Sequence, residues 1–251
     1  MSPPFQQILG IKFYVGDLSG LLDLCAEGRF VVVPAAPALV DLPTDVDYRE
    51  ALEQSDFAIT DSGFMVLLWK ILTGRSLIRI SGLKLLRGLL AKDDLRRPGS
   101  SVWIMPTVRE MEVNVEWLSR NNYAVTKDSC FIAPVYPKGP LSDPDLLRFI
   151  EARRPQYIIV NIGGGVQERL GLYLKRNLSY QPSIICVGAA IAFITGLQAN
   201  IPVWADAWML GWLFRCLHAP RKFIPRTWKG FRLIAILAKY RERSVVTCQL
   251  E

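Results

Sequence analysis

Short apolar runs alternate with segments of helical periodicity over residues 11–188 of this 251-residue chain. Several runs are apolar at consecutive positions, as strands are when helices cover both faces of their sheet. This alternation predicts an α/β domain with a mostly parallel sheet and helices on both faces. The predicted strands are Ile11–Val15, Phe30–Val33, Phe57–Thr60, Ser101–Met105, Tyr123–Thr126, Tyr157–Ile162 and Ser183–Val187.

The segments between these strands carry apolar residues at three- and four-residue spacing, which predicts helices. Asp143, followed by Pro144, is typical of a helix N-terminus, and Asp45 and Asp47 also precede a helical segment. Helix-capping acids explain this Asp-Val-Asp pair better than a metal-binding D-x-D motif does. The predicted helices are Leu18–Ala26, Tyr48–Gln54, Phe64–Leu72, Leu83–Leu90, Val108–Asn121, Asp143–Arg153 and Gln167–Asn177.

The pattern changes after Gly196, where Ile201-Pro202, Ala219-Pro220 and Ile224-Pro225 interrupt aromatic-rich segments that are otherwise helical and contain no strand pattern. We therefore predict an α/β domain over residues 1–197 and a helical C-terminal appendage over residues 198–251. The prolines are expected to break the appendage into separate helical pieces.

Positive charge is concentrated in this appendage. It contains nine basic and three acidic residues, a net charge of +6, whereas the whole chain carries +7. Tryptophan and phenylalanine are interleaved with the cations, and an anionic membrane surface attracts that combination. A solvated basic face is the alternative. Nucleic acid would attract the same charge, but no nucleic-acid-binding module is recognisable, so no nucleic-acid partner is predicted.

Several kinds of site are excluded by what the chain lacks. Its five cysteines are far apart and form no C-x-x-C pair, and His218 is its only histidine, so no metal site is predicted. There is no G-x-S-x-G motif and no Walker motif. The N-terminus has no signal-peptide pattern and the most apolar stretch, Ile184–Leu197, is too short to span a bilayer, so a cytoplasmic location is expected.

Two junctions after predicted strands carry candidate chemistry, because ligands of open parallel sheets bind beyond the carboxyl ends of the strands. The first is Asp61-Ser62-Gly63. On its position alone, Asp61 is either the N-cap of the helix that follows, which is the more common reason for such an acid, or a base above the cleft.

The second junction is the glycine run Gly163-Gly164-Gly165, followed by Gln167 and Glu168. Glycines permit close approach of the backbone to a ligand, and a helix N-terminus offers amide groups to an anion. A tight turn without a ligand is the alternative.

Six motifs in this order resemble the bacterial WecG/TagA/CpsF glycosyltransferase family over nearly the whole chain. The family carries Thr-Pro-Asn-Ala, Pro-Asp-Gly, Arg-x-x-Gly, Gly-x-Pro-x-Gln-Glu and Phe-x-x-Gly motifs, then Trp-Leu-Tyr/Phe-Arg followed by Pro-Arg. The similar segments here are Val33–Ala36, Asp61–Gly63, Arg79–Gly82, Gly163–Glu168, Gly188 with Phe193–Gly196, and Trp212–Arg215 with Pro220-Arg221.

The resemblance implies a Rossmann-like fold and an inverting, metal-independent glycosyltransferase without cofactor. Such an enzyme moves a hexose or N-acetylhexosamine from a UDP-sugar to a polyprenyl-diphosphate-linked sugar in surface-polysaccharide synthesis, at the inner face of the cell membrane. It implies that Asp61 is the general base. The implied substrate-binding residues are Arg79, Gly82, Gly163, Gln167, Glu168, Gly188, Arg215, Arg221 and Arg226.

The chain departs from the family pattern where Val33 and Ala35 replace a threonine and an asparagine, and where Met105-Pro106-Thr107 replaces glycines. These losses favour an alternative function, a catalytically degenerate protein that binds a nucleotide sugar or a lipid carrier. They also leave the donor sugar open. The sequence is compatible with a monomer or a homo-oligomer.

Overall fold

The computed structural model describes residues 4–198, 217 and 220–245. These residues contain an eight-stranded sheet with the strand order β1-β2-β4-β3-β8-β7-β5-β6. The first strand pairs antiparallel with the second, and the other pairings are parallel. The strands are β1 (Phe5–Ile8), β2 (Ile11–Tyr14), β3 (Phe30–Val32), β4 (Phe57–Ile59), β5 (Ser101–Met105), β6 (Cys130–Ile132), β7 (Tyr157–Val160) and β8 (Ser183–Cys186).

Helices cover both faces of the sheet. One face packs against α1, α5 and α6, and the other against α2, α3, α4, α7 and α8, so that each face has its own apolar core. The helices are α1 (Leu18–Cys25), α2 (Ala36–Leu39), α3 (Val46–Glu53), α4 (Gly63–Thr73), α5 (Gly82–Leu90), α6 (Val108–Arg120), α7 (Pro144–Arg153), α8 (Val166–Asn177), α9 (Ala190–Ile194), α10 (Pro220–Gly230) and α11 (Leu233–Tyr240).

The predicted α/β, Rossmann-like architecture is confirmed. Of the three acids predicted as helix caps, Asp45 accepts a hydrogen bond from the Tyr48 amide at 3.0 Å, and Asp143 accepts one from the Leu146 amide at 2.9 Å. Asp47 lies in the first turn of α3 and is not the cap.

The strand predicted at Tyr123–Thr126 is wrong. Tyr123 and Val125 are buried as predicted for a strand, but they pack as a loop against α6, and the Tyr123 hydroxyl donates to the Leu90 carbonyl oxygen at 2.5 Å. The edge strand β6, which pairs with β5, begins at Cys130, four residues after the predicted strand ends. Burial of alternate side chains in a loop thus gives the same apolar alternation in the sequence as a strand does.

The C-terminal segment contributes to the core of the α/β domain. Leu233, Leu237 and Val245 are buried in the same apolar cluster as α4 and α8, and the Leu9 amide in the β1–β2 turn donates to the Arg241 carbonyl oxygen at 2.6 Å. The division into two domains at residue 197 stays a prediction.

The prediction that Pro225 interrupts the helix is wrong, because α10 continues through it. A proline removes one helical hydrogen bond, and Pro225 is exposed, where water compensates for such a loss more easily than in a core. Within the described ranges, no helix combines the length and the apolar character needed to cross a bilayer.

Candidate active site

The predicted site residues of the α/β domain meet at one edge of the sheet. Strands β4, β3, β8 and β7 are neighbours in this order, and they are parallel. Their carboxyl ends therefore lie side by side, and they lead into Asp61, Val33, Gly188 and Gly163 respectively. This is the edge at which ligands of open α/β sheets bind.

Asp61 begins the first half of the site, which we call the β4 junction (Thr60–Ser62 with Ile78–Gly82). Its side chain is partly exposed, and Oδ1 accepts a hydrogen bond from the Gly82 amide at 2.9 Å. Gly82 is the first residue of α5, whereas the helix that follows Asp61 directly is capped by Ser62. Asp61 is thus not the N-cap of α4, and its carboxylate holds the N-terminus of a helix 21 residues further along the chain.

Hydrogen bonds between side chains and the backbone hold the two segments of this junction together. The Arg79 Nε donates to the Asp61 carbonyl oxygen at 2.8 Å, so this arginine fixes the backbone that carries the acid. The Thr60 hydroxyl donates to the Ile78 carbonyl oxygen at 2.5 Å and accepts from the Ile80 amide at 3.3 Å. The position of Asp61 is therefore set by a buried threonine that the sequence did not single out.

Gly82 joins the β4 junction to the neighbouring strands. A Cβ atom at this position would lie 3.1 Å from Val33 Cγ1, 3.6 Å from the Val187 carbonyl oxygen and 3.9 Å from Asp61 Oδ1. The ends of β3, β4 and β8 thus converge on this glycine, and a larger residue would press on Val33, which stands where the family has a threonine.

The second half of the site is the β7–β8 junction, formed by Gly163–Glu168 and Gly188. A Cβ atom on Gly163, Gly164 or Gly165 would meet no other atom within 4 Å, so this loop borders open space. Gly165 has φ +89°, a left-handed conformation that favours glycine. The Gly165 amide donates to Glu168 and the Gln167 amide to the Gly163 carbonyl oxygen, so Gly163 and Gly164 are the loop residues whose amides suit an anion.

Gln167 and Glu168 connect this loop to the end of β8. The Gln167 Oε1 accepts from the Gly188 amide at 2.8 Å, and its Nε2 donates to Glu168 Oε1 at 3.0 Å. Glu168 Oε2 accepts from the Gly165 amide at 2.6 Å. Gln167 and Glu168 are only 3% and 1% exposed, so both side chains lie beneath the loop. Burial raises the pKa of Glu168 to about 7, and its hydrogen bonds and Arg169 oppose that shift.

Arg169 supports the glycine loop from the same buried layer. Its guanidinium donates to the carbonyl oxygens of Gly165, Pro137 and Gly139 at 3.3, 3.1 and 2.7 Å. Sequence reasoning missed this residue. The available signal was a basic residue within the first turns of a helix whose next positions, Leu170 and Leu172, are buried.

The predicted arginines of the C-terminal segment are placed only in part. Arg215 lies outside the described residues, as does His218, and the side chain of Arg226 is not described. Arg221 is exposed on α10, which packs against α2. Because α2 begins four residues after the end of β3, α10 lies at the same edge of the sheet as Asp61.

The arrangement supplies one anchored carboxylate and a set of backbone amides around an open edge. A carboxylate with one oxygen held by Gly82 is oriented to accept a proton, and the glycine loop is suited to an anionic group. Among residues 4–198, 217 and 220–245, no three His, Cys, Asp or Glu side chains are grouped to hold a metal ion.

Residues 6–245 match the family model described as the glycosyl transferase WecG/TagA/CpsF family. No curated protein matches the chain.

Proposed function

Because this chain belongs to the WecG/TagA/CpsF family of glycosyl transferases, we propose that it moves a hexose or N-acetylhexosamine from a UDP-sugar to a polyprenyl-diphosphate-linked sugar during surface-polysaccharide synthesis. The observation that carries this proposal is the partly exposed Asp61 carboxylate at the carboxyl edge of the sheet, with Oδ1 held by Gly82.

Asp61 acts as the general base in this proposal. The acceptor hydroxyl oxygen attacks the anomeric carbon, the bond from that carbon to the UDP oxygen breaks, and the hydroxyl proton passes to the Asp61 carboxylate. UDP leaves from the opposite side of the sugar, so the anomeric configuration inverts. Gly82 fixes one oxygen of the base, which restricts the direction in which the other accepts a proton.

The departing UDP gains negative charge, which the β7–β8 junction and the C-terminal cations stabilise in this proposal. Gly163 and Gly188 line the nucleotide cleft. The Gly188 amide is committed to Gln167 Oε1, so the phosphate oxygens are met by the amides of Gly163 and Gly164. Arg221, with Arg215 and Arg226, supplies guanidinium groups to the diphosphate.

Gln167 presents its amide to the donor, oriented by Gly188 and Glu168. The proposed role of Glu168 in substrate binding is therefore indirect, through Gln167 and the Gly165 amide, since both of its oxygens accept hydrogen bonds from the chain itself.

The C-terminal segment holds the enzyme at the inner face of the cell membrane in this proposal, where the lipid-linked acceptor lies. Its cations are each worth about 1 kcal/mol near an anionic surface, and Trp228 is 75% exposed and suited to the interfacial region.

A second candidate, binding of a nucleotide sugar or lipid carrier without catalysis, is favoured by one specific observation. Val33 lies against Gly82, which is beside Asp61. At the position of Val33 the family has a hydroxyl-bearing residue. The site has therefore lost a polar group close to the proposed base.

Release of UDP from a panel of UDP-sugars, with a short-chain prenyl-diphosphate sugar as acceptor, tests the proposal. The native chain should release UDP, and Asp61→Asn should lower the rate by about 10²- to 10⁴-fold while UDP still binds. Asp23→Asn is the control, because this acid is 70% exposed and pairs with Lys92 on the far side of α1. UDP binding without release by the native chain on any donor would favour the second candidate.

A further inference from the structure

Exposed large apolar side chains are concentrated on one part of the molecule. Within the described ranges eleven such side chains occur, and seven of them belong to α4 or to the C-terminal segment. These seven are Leu67, Ile71, Leu217, Ile224, Trp228, Phe231 and Ile234. Two of the seven, Leu67 and Ile71, belong to a helix of the α/β domain and not to the C-terminal segment.

Helix α4 is apolar on two opposite sides. Met65 and Trp69 are buried in the core, whereas Leu67 and Ile71, four residues apart, are 50% and 69% exposed. A helix at a protein surface normally turns a polar face outward, and one that is apolar on both sides needs a second apolar environment. Water alone therefore does not provide the second apolar environment that the outer face of α4 needs.

The outer face of α4 is continuous with the C-terminal helices. Helix α4 packs against α11, and the Phe64 ring lies 5.4 Å from the Phe231 ring in an edge-to-face contact. Phe231 in turn lies 5.9 Å from Trp228. The apolar side chains of α4 and those of the C-terminal segment thus form one surface.

Cations border this surface at the ends of α4 and α11. A groove of about 650 Å³ lies between these helix ends, lined by Arg75, Lys239, Arg241 and Arg243 among others. Glu242 is the acid among its described lining residues, and it pairs with Arg75 at 2.8 Å. Lys70, exposed on α4, adds a further positive charge beside Leu67 and Ile71.

We propose that the α4–α11 face, defined as Leu67, Lys70, Ile71, Ile234 and Lys239, lies on an anionic lipid bilayer, with lipid phosphates in the cationic groove. The inference rests on the membrane association in the proposed function, and it extends the membrane-contacting surface into the α/β domain. Apolar side chains bordered by Lys and Arg suit the interfacial region of an anionic bilayer. A second copy of the chain is a poorer occupant, because a symmetric contact would bring like charges together.

This placement fixes the candidate base relative to the membrane. Helix α4 begins two residues after Asp61 and spans 11 residues, which is about 16 Å of helix. A bilayer that holds α4 therefore holds the helix that begins directly after Asp61 and Ser62, so the candidate base has a fixed position relative to the membrane surface.

Vesicle sedimentation of the full chain tests the inference. Leu67→Gln with Ile71→Gln should weaken binding to phosphatidylglycerol-containing vesicles on the order of tenfold or more, with unchanged thermal unfolding because both side chains are already exposed. The matched control is Val46→Gln with Val135→Gln, two exposed apolar positions elsewhere, and it should bind like the native chain. Lys70→Gln with Lys239→Gln should weaken binding to the anionic vesicles and not to phosphatidylcholine vesicles.

Native-like vesicle binding of the Leu67/Ile71 variant would overturn the inference. So would a native dimer that this variant dissociates without loss of vesicle binding, since a second copy would then be the occupant. Binding of inorganic phosphate in the groove, with no binding to anionic or neutral vesicles, would show a free-phosphate groove and no bilayer contact. UDP release on a short-chain soluble acceptor is measured in parallel and should be unchanged, so that failure of the binding test is distinguishable from failure of the proposed catalytic function.

Discussion

The two halves of the candidate site hold their polar groups in opposite ways. At the β4 junction the Asp61 carboxylate is partly exposed at the carboxyl edge of the sheet, and one of its oxygens accepts a hydrogen bond from the Gly82 amide. At the β7–β8 junction the side chains of Gln167 and Glu168 are buried and bonded to each other and to the backbone. In the proposed function, the first half offers a side chain to a substrate, whereas the second uses side chains to shape a loop that offers its backbone.

This difference predicts where substitutions act. If Asp61 is the base, changes at the β4 junction should alter the chemical step. If the glycine loop binds the donor, changes at the β7–β8 junction should alter stability and donor binding together, because buried residues build that loop.

The largest expected effect is that of Asp61→Ala compared with Asp61→Asn. Both remove the base, so both should lower turnover by about 10²- to 10⁴-fold. Only alanine removes the acceptor for the Gly82 amide, which should cost about 1 kcal/mol of unfolding free energy. Turnover assays and urea unfolding of the two variants check this. Equal stability of Asp61→Ala and the native chain would contradict the role of Asp61 in holding α5.

The second effect is a pH dependence of stability that comes from Glu168. Burial raises the pKa of Glu168 from 4.5 to about 7 in the folded chain. Between these values the folded state keeps a proton that the unfolded state releases, so unfolding free energy should fall as pH rises from about 4.5 to about 7, by about 3 kcal/mol in total.

Urea unfolding of the native chain and Glu168→Gln at pH values across this window measures the slope. Glutamine does not titrate, so the variant should lose this contribution to the slope, whatever its absolute stability. The same slope in both proteins would assign the pH dependence to other groups.

A smaller effect separates two neighbouring glycines. Gly165→Ala places a side chain at φ +89° and should destabilise the chain by about 1–2 kcal/mol. Gly164→Ala has space for its Cβ and a negative φ or extended backbone, so its stability should be native. If the loop meets the diphosphate, Gly164→Ala should still raise the KM for the donor sugar. A native KM for Gly164→Ala would show that the backbone of this loop does not line the nucleotide cleft.

The smallest effect concerns the contact of Gly82 with Val33. A Cβ on Gly82 would lie 3.1 Å from Val33 Cγ1, so Gly82→Ala should gain helix propensity and lose about as much through crowding. In the background of Val33→Ala the crowding is absent, so Gly82→Ala should be more favourable there by about 0.5 kcal/mol. A double-mutant cycle of urea unfolding measures this difference, and complete additivity would show that Val33 moves aside without cost.

Much of the fold is predictable from the sequence. The apolar runs at Tyr157–Ile162 and Ser183–Val187 predict strands covered by helices on both faces, and β7 and β8 form there as buried interior strands of the sheet. The predicted helix bounds lie within two residues of the observed ones in the α/β domain, because apolar spacing and capping acids are local signals.

The errors occur where local signals are weak. Strand β1 escaped prediction because its hairpin turn places Leu9 at φ 54°, a conformation that leucine rarely adopts and that no sequence pattern marks. The strand predicted at Tyr123–Thr126 failed because burial in a loop gives the same alternation as burial in a sheet.

The sequence by itself determined the order of the elements and the strand ends at which polar residues and glycines occur. It did so because periodicity, caps and turns are written within a few neighbouring residues. The tertiary structure alone decided which of these polar groups are committed to the chain and which face a ligand. Asp61 meets Gly82 and Gln167 meets Gly188 across 21 residues in each case, and hydrogen bonds at such separations exist only after the sheet has brought the strand ends together.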